Sequence, residues 1–444
     1  MRPPLRRAWL ALAAGLALAG LQQQLLLRRP PRLLELQSST ASSGPAALQV
    51  RFSRPMQRAS LARSSQLEPF LAHRWLGEGN PLRLLLDPGQ RLPGPLSLAL
   101  AGRDARGLPL QPQRWRWDPR PFLLAVVPVP GGEQVQLQGR DGRWRPLSPV
   151  FARIPNVMPL GDGSGLALLS GDGQNQQRLW LLPLQQRNLA PWRQGLTEPQ
   201  AGALQPLSQK PLLFAHLSSN RRGDLLVQAG SAALEPGTTT LWTRHGQRQT
   251  LNQKASGPMQ LLPEGAGVVV PELEGLTLHS LPGQARRRQV LPGSRDLSSF
   301  CPVSGRALLV RHWPDYRRSL ELVEPGQAPR QLWLGSEAVL ASACDRGGER
   351  VWLVISDWAQ GAQPHLLALD RRGSVLRRRS LAGWELEPGA PMALDATRQQ
   401  LLLSLRPRQG PARAEAQPVL IDASSLAIQP VPKPVRLALW LPAS

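Results

Sequence analysis

GDGSGLALLSGDGQNQQRLWLLPL, residues 161–184, is the stretch whose reading decides the fold. The turn Gly161-Asp162-Gly163-Ser164-Gly165 leads into the apolar run Leu166–Leu169. A polar stretch follows, then a second apolar segment, Arg178-Leu179-Trp180-Leu181-Leu182. Runs this short, bounded by Gly and polar turns, read as buried strands, because a helix needs ten or more residues of unbroken pattern. The same order of turn, strand, polar loop and strand recurs at residues 220–242, 263–278, 302–322, 345–369 and 395–421. A period of about 40–60 residues built from short strands is the signature of a β-propeller. Each sheet of such a ring buries its faces only against its neighbours, so the repeats cannot be independent domains. Six repeats predict six blades over residues 150–444. The segment Val435–Leu441 (VRLALWL) is the candidate to complete the first of them. A β-sandwich array is the competing arrangement.

The 161–184 string also resembles the blade motif of periplasmic TolB-type propellers. Asp162-Gly163 matches the turn, Leu166–Ser170 the second strand and Leu179–Leu184 the third. Trp180 and Trp242 stand where that family often has Tyr. The resemblance implies a six-bladed, WD40-like ring and a place in the cell envelope. It implies no particular partner, since one fold serves many functions.

Upstream, residues 46–127 read as a separate all-β unit. Ala47–Phe52 alternates apolar and polar residues, as a half-buried strand does. Leu82–Leu86 and Leu96–Leu100 are further strands, separated by the turns Asp87-Pro88-Gly89 and Leu92-Pro93-Gly94. Short strands at this spacing predict a β-sandwich. LQVRFSRPMQRASL, together with the later LALAGRDARGLPL, resembles a bacterial Ig-like domain of surface and envelope proteins. That family's usual Tyr before the last strands is absent, with Leu96 or Leu98 in its place. Such domains are spacers or binding platforms, so the resemblance implies no catalytic residue.

Residues 1–36 hold a targeting segment and the start of a linker. Three Arg and no acid in residues 1–8 precede the apolar run Trp9–Leu21, and Ala17-Leu18-Ala19 offers a cleavage pattern. This describes a secretory signal peptide. An uncleaved membrane anchor reaching Leu27 is the alternative, made poorer by Gln22-Gln23-Gln24. Either reading predicts an exported protein, periplasmic or in the cell envelope.

The chain of 444 residues has a formal charge of +23, yet only three of its 53 basic residues are Lys. Arg is scattered, with tight clusters only at 286–288 and 377–379. No nucleic-acid-binding motif accompanies them, so a nucleic-acid partner is not expected. A compositional habit is the plainer reading. An anionic lipid or acidic polysaccharide surface stays open as a partner.

The search for chemistry returns no metal-protease helix, nucleophile elbow, phosphate loop or calcium loop. The six His are dispersed. No catalytic residue, metal ligand or cofactor is therefore predicted. Cys301 and Cys344 occupy equivalent places in consecutive repeats. Two small buried residues is the plainer reading. A disulfide stays open, provided that neighbouring blades approach closely enough. In a propeller the loops between second and third strands open on one face, where partners usually bind. There the chain offers His312, Trp313, Asp315 and Tyr316, then Asp357 and Trp358, and a long loop at 406–417. Exposed aromatics beside charge suit a protein or glycan partner. The expected function is thus an exported, non-catalytic binding or scaffold protein. The alternative is an exported hydrolase or lyase with a site assembled at the propeller axis.

Overall fold

The computed structural model describes the chain apart from residues 1–2, 42, 172–175, 232–236, 286, 303–304, 358–362, 387–390, 409–415, 432 and 444. A helix, Pro3–Arg28, opens the chain and leaves Trp9, Leu10, Leu12, Leu16, Leu18 and Leu21 exposed. No described helix is long and apolar enough to cross a membrane.

Two four-stranded antiparallel sheets follow. One has the order Leu33–Ser39, Ala47–Phe52, Leu82–Leu86, His73–Leu76. The other has the order Leu189–Pro191, Gln113–Trp117, Leu96–Leu100, Gln66–Glu68. The alternation read from Ala47–Phe52 is the one observed, with Leu48, Val50 and Phe52 buried and Gln49 and Arg51 exposed. These inward residues, with Leu82, Leu84 and Leu86, share one apolar core with Leu96, Leu98, Leu100 and Trp117 of the other sheet.

Seven sheets then follow, and in all but the first the neighbouring strands run in chain order. The second to sixth begin with Arg153–Pro159, Phe214–Ser219, Gln260–Leu261, Arg295–Phe300 and Ala338–Cys344. The seventh is built on Gln400–Pro407, whose inner edge pairs with both Trp384–Leu386 and Ala393–Asp395. All six repeats read from the sequence lie in these six sheets. The first sheet was not foreseen. It runs Trp144–Pro146, Gly132–Gln138, Phe122–Val129, then Leu437–Leu441 from the far end of the chain. The C-terminal strand therefore completes a sheet that starts at Phe122, inside the stretch expected to belong to the sandwich. This sheet escaped the repeat pattern because its innermost strand comes from elsewhere and no Gly-rich turn leads into Phe122.

Apolar clusters join the sheets face to face. Leu124 and Val126 meet Val157, Leu166 and Leu168 between the first and second sheets. Leu169 and Leu179 meet Leu217 and Val227 between the second and third. Leu226 and Leu241 meet Val268 and Val270 between the third and fourth. Leu308 and Leu320 meet Val351 and Leu353 between the fifth and sixth. Trp352 and Val354 meet Leu401 and Leu403 between the sixth and seventh. Leu123 and Ala125 meet Leu402 and Val435 between the first and seventh, which closes the ring. This chain of contacts and the shared first sheet make the architecture a β-propeller. Among the described residues, no such cluster joins the fourth sheet to the fifth. Leu308 and Leu320 face the sixth sheet, so Leu309 and Glu321 face the fourth, because successive side chains alternate. Buried on that side, Glu321 receives the Arg295 Nε at 2.8 Å and has Arg311 Nη1 at 3.6 Å.

Cys301 and Cys344 form a disulfide between the fifth and sixth sheets, with Cα atoms 5.1 Å apart and both side chains buried. The plainer sequence reading, two unbridged small residues, is thus corrected. Cys344 ends the innermost strand of its sheet and Cys301 directly follows that of its own, where neighbouring sheets converge, and Ser298 and Ser299 bond Ser342 across the same approach. Replacing both Cys by Ser is expected to cost about 2–4 kcal/mol, because the bridge closes a long loop in the unfolded chain. Urea unfolding would show this as a lower midpoint. An unchanged midpoint would mean that the bond is not formed in the folded protein.

The sandwich and the ring are fastened together. The strand Leu189–Pro191 leaves the second ring sheet to pair with Gln113–Trp117 of the sandwich. At the crossover, Arg120 grips Asp118 with two hydrogen bonds of 2.8 Å, and Arg140 Nε lies 3.2 Å from the same carboxylate. Burial alone would raise the Asp118 pKa. The hydrogen bond from Arg120 and the charges of Arg140 and Arg120 outweigh it and hold the group below its ordinary value. Arg398 of the seventh sheet reaches the Pro121 carbonyl, and Leu92 donates its amide to the Thr397 carbonyl at 2.8 Å.

Candidate functional site

The strand registers define two ends of the ring. Phe214 pairs with Gly230 and Gly275 with Pro292, so the turns between second and third strands lie at one end with the starts of the first strands and the ends of the fourth. The sandwich sits at the other end, against the turns between first and second strands.

At the free end, the fifth-sheet turn carries four of the residues singled out from the sequence. His312 Nε2 lies 2.7 Å from Asp296 Oδ2. Trp313 donates its indole N–H to Ser319 Oγ at 3.0 Å, and the Arg311 guanidinium stacks on its ring at 3.8 Å. Asp315 pairs with Arg317 at 2.7 Å. Burial would raise the Asp315 pKa, but the amide and guanidinium of Arg317 hold it below its ordinary value. Tyr316 makes no such contact. It is 89% exposed and sits at φ 64°, the left-handed region. Turns closed by the same pair of backbone hydrogen bonds use Gly142, Gly246 and Gly373 at this position. Asp357 ends its strand with a partner of its own. Trp358 and residues 409–415 lie outside the described residues. On the neighbouring fourth sheet, Leu273 at the equivalent turn is 97% exposed.

A side chain with a Cβ costs about 1–2 kcal/mol in the left-handed conformation. Tyr316→Gly is therefore expected to stabilise the chain by roughly 0.5–1 kcal/mol, after the greater chain freedom of Gly is allowed for. A thermal melt showing a lower Tm instead would mean that the ring of Tyr316 packs on the protein.

At the sandwich end, the turns between first and second strands converge on the axis. Their glycines permit the approach. A Cβ on Gly161 would strike the Asn220 carbonyl, and one on Gly223 would strike the Asp162 carboxylate. A cavity of about 760 Å³ lies between these turns and the end of the strand Leu33–Ser39. Arg221 and Arg346, from the third- and sixth-sheet turns, are half-buried in its lining. Arg187 and Arg244 line it as exposed residues. Burial pulls the Arg346 pKa down to about 10, with the charge of Arg221 acting in the same direction and Asp395 opposing. Burial also lowers Arg221, against Glu264 at 3.8 Å. Two carboxylates share the lining. Asp162 accepts from the amide and hydroxyl of Ser164, while Asp395 accepts from Thr397 and faces Arg398 at 3.3 Å. A second cavity, about 630 Å³, follows the first strands along the axis and meets the first at Gly161 and Arg221. His216 is its imidazole.

The sequence reading placed function on the free-end loops and passed over these arginines. The signal was present, since Arg221 and Arg346 occupy the same turn of two repeats. What it lacked was the sandwich above them, which turns a surface into a cavity.

No family model and no curated protein matches the chain. Among solved structures, the chain resembles an uncharacterized protein from Listeria monocytogenes EGD-e at 10% identity. That match covers 71% of this chain and 92% of the other, with a TM-score of 0.49. TolB from Acinetobacter baumannii matches at 11% identity over 80% and 81% of the two chains, with a TM-score of 0.42. Apo AztD from Citrobacter koseri matches at 12% identity over 74% and 100%, with a TM-score of 0.46.

Proposed function

We propose that this chain is an exported, non-catalytic binding or scaffold protein of the cell envelope. On this reading the sandwich acts as an Ig-like spacer, and the free end of the ring receives a protein or glycan. The observation that carries it is Tyr316, held fully outward in a strained conformation that turns of the same hydrogen-bond pattern, between third and fourth strands of other sheets, give to Gly. Strain kept at an exposed aromatic points to binding rather than stability. Leu273 on the adjacent sheet extends the same surface with apolar area. The buried disulfide supports an oxidising compartment, and the run Trp9–Leu21 supports export. The hydrolase or lyase reading draws less support, because the two carboxylates near the axis are engaged by turn donors and Arg398.

The test is capture from envelope extracts and on glycan arrays with the full chain, beside Tyr316→Gly and Leu273→Ser variants. A partner retained by the native chain and lost by both variants is the expected result. Turnover of a glycan or peptide substrate that His216→Ala abolishes would overturn the reading in favour of an axial enzyme.

A further inference from the structure

The arginine-lined cavity stands at the opposite end of the ring from the proposed loop surface and is an independent observation. Four arginines from three ring sheets line one open cavity together with two aspartates. Both carboxylates are already engaged, Asp162 by Ser164 and Asp395 by Thr397 and Arg398. Arg346, Arg187 and Arg244 form no side-chain ion pair among the described residues, and Arg221 has only Glu264 at 3.8 Å. The buried Ser39 hydroxyl, which also lines the cavity, has no hydrogen-bond partner. Like charges gathered in a partly desolvated space repel one another unless an anion joins them. The volume falls in the range of roughly 300–1,000 Å³ typical of small-molecule sites. Guanidinium forks suit carboxylate and phosphate oxygens in two-pronged hydrogen bonds.

We propose that this cavity is a binding site for a small anion carrying two or more carboxylate or phosphate charges, gripped by Arg221 and Arg346 and admitted past Arg187 and Arg244. The sandwich is then more than a spacer. Its strand end Leu36–Ser39 forms one wall of the site, so the ligand would bridge the two parts of the molecule.

The experiment is calorimetric titration of the full chain with citrate and, separately, with inorganic phosphate, at constant ionic strength set with sodium chloride. Saturable binding of at least one probe is expected. Arg346→Gln and Arg221→Gln should weaken it by roughly tenfold to a hundredfold, the weight of a charge-assisted hydrogen bond. Arg187→Gln and Arg244→Gln, at exposed positions where folding is not at stake, should weaken it less. Arg377→Gln, on an outer strand, should leave it unchanged. Citrate alone binding would identify a polycarboxylate ligand, and phosphate alone a phosphorylated one. No saturable binding of either probe would overturn the proposal. Equal affinity in the native chain and all four cavity variants would also overturn it.

Discussion

Removing residues 435–444 is expected to abolish the folded ring. Leu437–Leu441 pairs along its whole length with Phe122–Val126, and Val435, Ala438 and Leu441 are almost wholly buried. Val435 and Ala438 fill the contact between the first and seventh sheets, while Leu441 fills that between the first and second. Burying a Val or Leu contributes about 1.5–3 kcal/mol each, and five ladder pairs vanish with them. A typical domain has only about 5–15 kcal/mol in total. The loss also bares the edge of Phe122–Val129, an apolar strand of the kind that pairs with other chains. Size-exclusion chromatography should show aggregate, and the thermal melt should lose its cooperative step. A monodisperse truncated chain with an unaltered Tm would show that the ring closes elsewhere.

Glu321→Ala is expected to destabilise the chain by about 3–5 kcal/mol, since it strands the buried Arg295 without its counter-charge. Arg295 is about as buried as its partner, with side-chain exposures of 7% and 5%. Arg295 would keep its bond to the Pro292 carbonyl, but no carboxylate would remain beside it. The companion variant separates charge burial from packing. Replacing Glu321, Arg295 and Arg311 together by apolar residues should cost far less than the single change, because the desolvation of the charges disappears with them. Urea midpoints measure both. A single variant as stable as the native chain would mean that water reaches this ion cluster.

Much of the fold was legible because strands of one sheet are neighbours in sequence. The turn at 161–165 and its five recurrences mark six of the seven ring sheets, and Ala47–Phe52 showed its buried face directly. What stayed hidden comes from distant pairing. Phe122–Val129 looks like the last strand of the sandwich until Leu437–Leu441 is laid beside it. Leu189–Pro191 is three residues long and ends in Pro, so nothing local marks it as a sandwich strand. The disulfide was undecided for the same reason, since the distance between Cys301 and Cys344 depends on how tightly the sheets converge. The exposed turn at Tyr316 could be found from sequence, as its aromatic and charged residues lie side by side. The arginine cavity could not, because its walls come from the strand at 33–39 and from turns as far apart as 221 and 346.

Two of these distant pairings set an order of events during synthesis. As the chain emerges from the ribosome, Gln113–Trp117 stays an open edge until Leu189–Pro191 follows. Phe122–Val129 waits much longer, until Leu441 has been made. Contacts that close such long loops are slow to form. The nascent chain therefore passes most of its elongation with its ring unsealed.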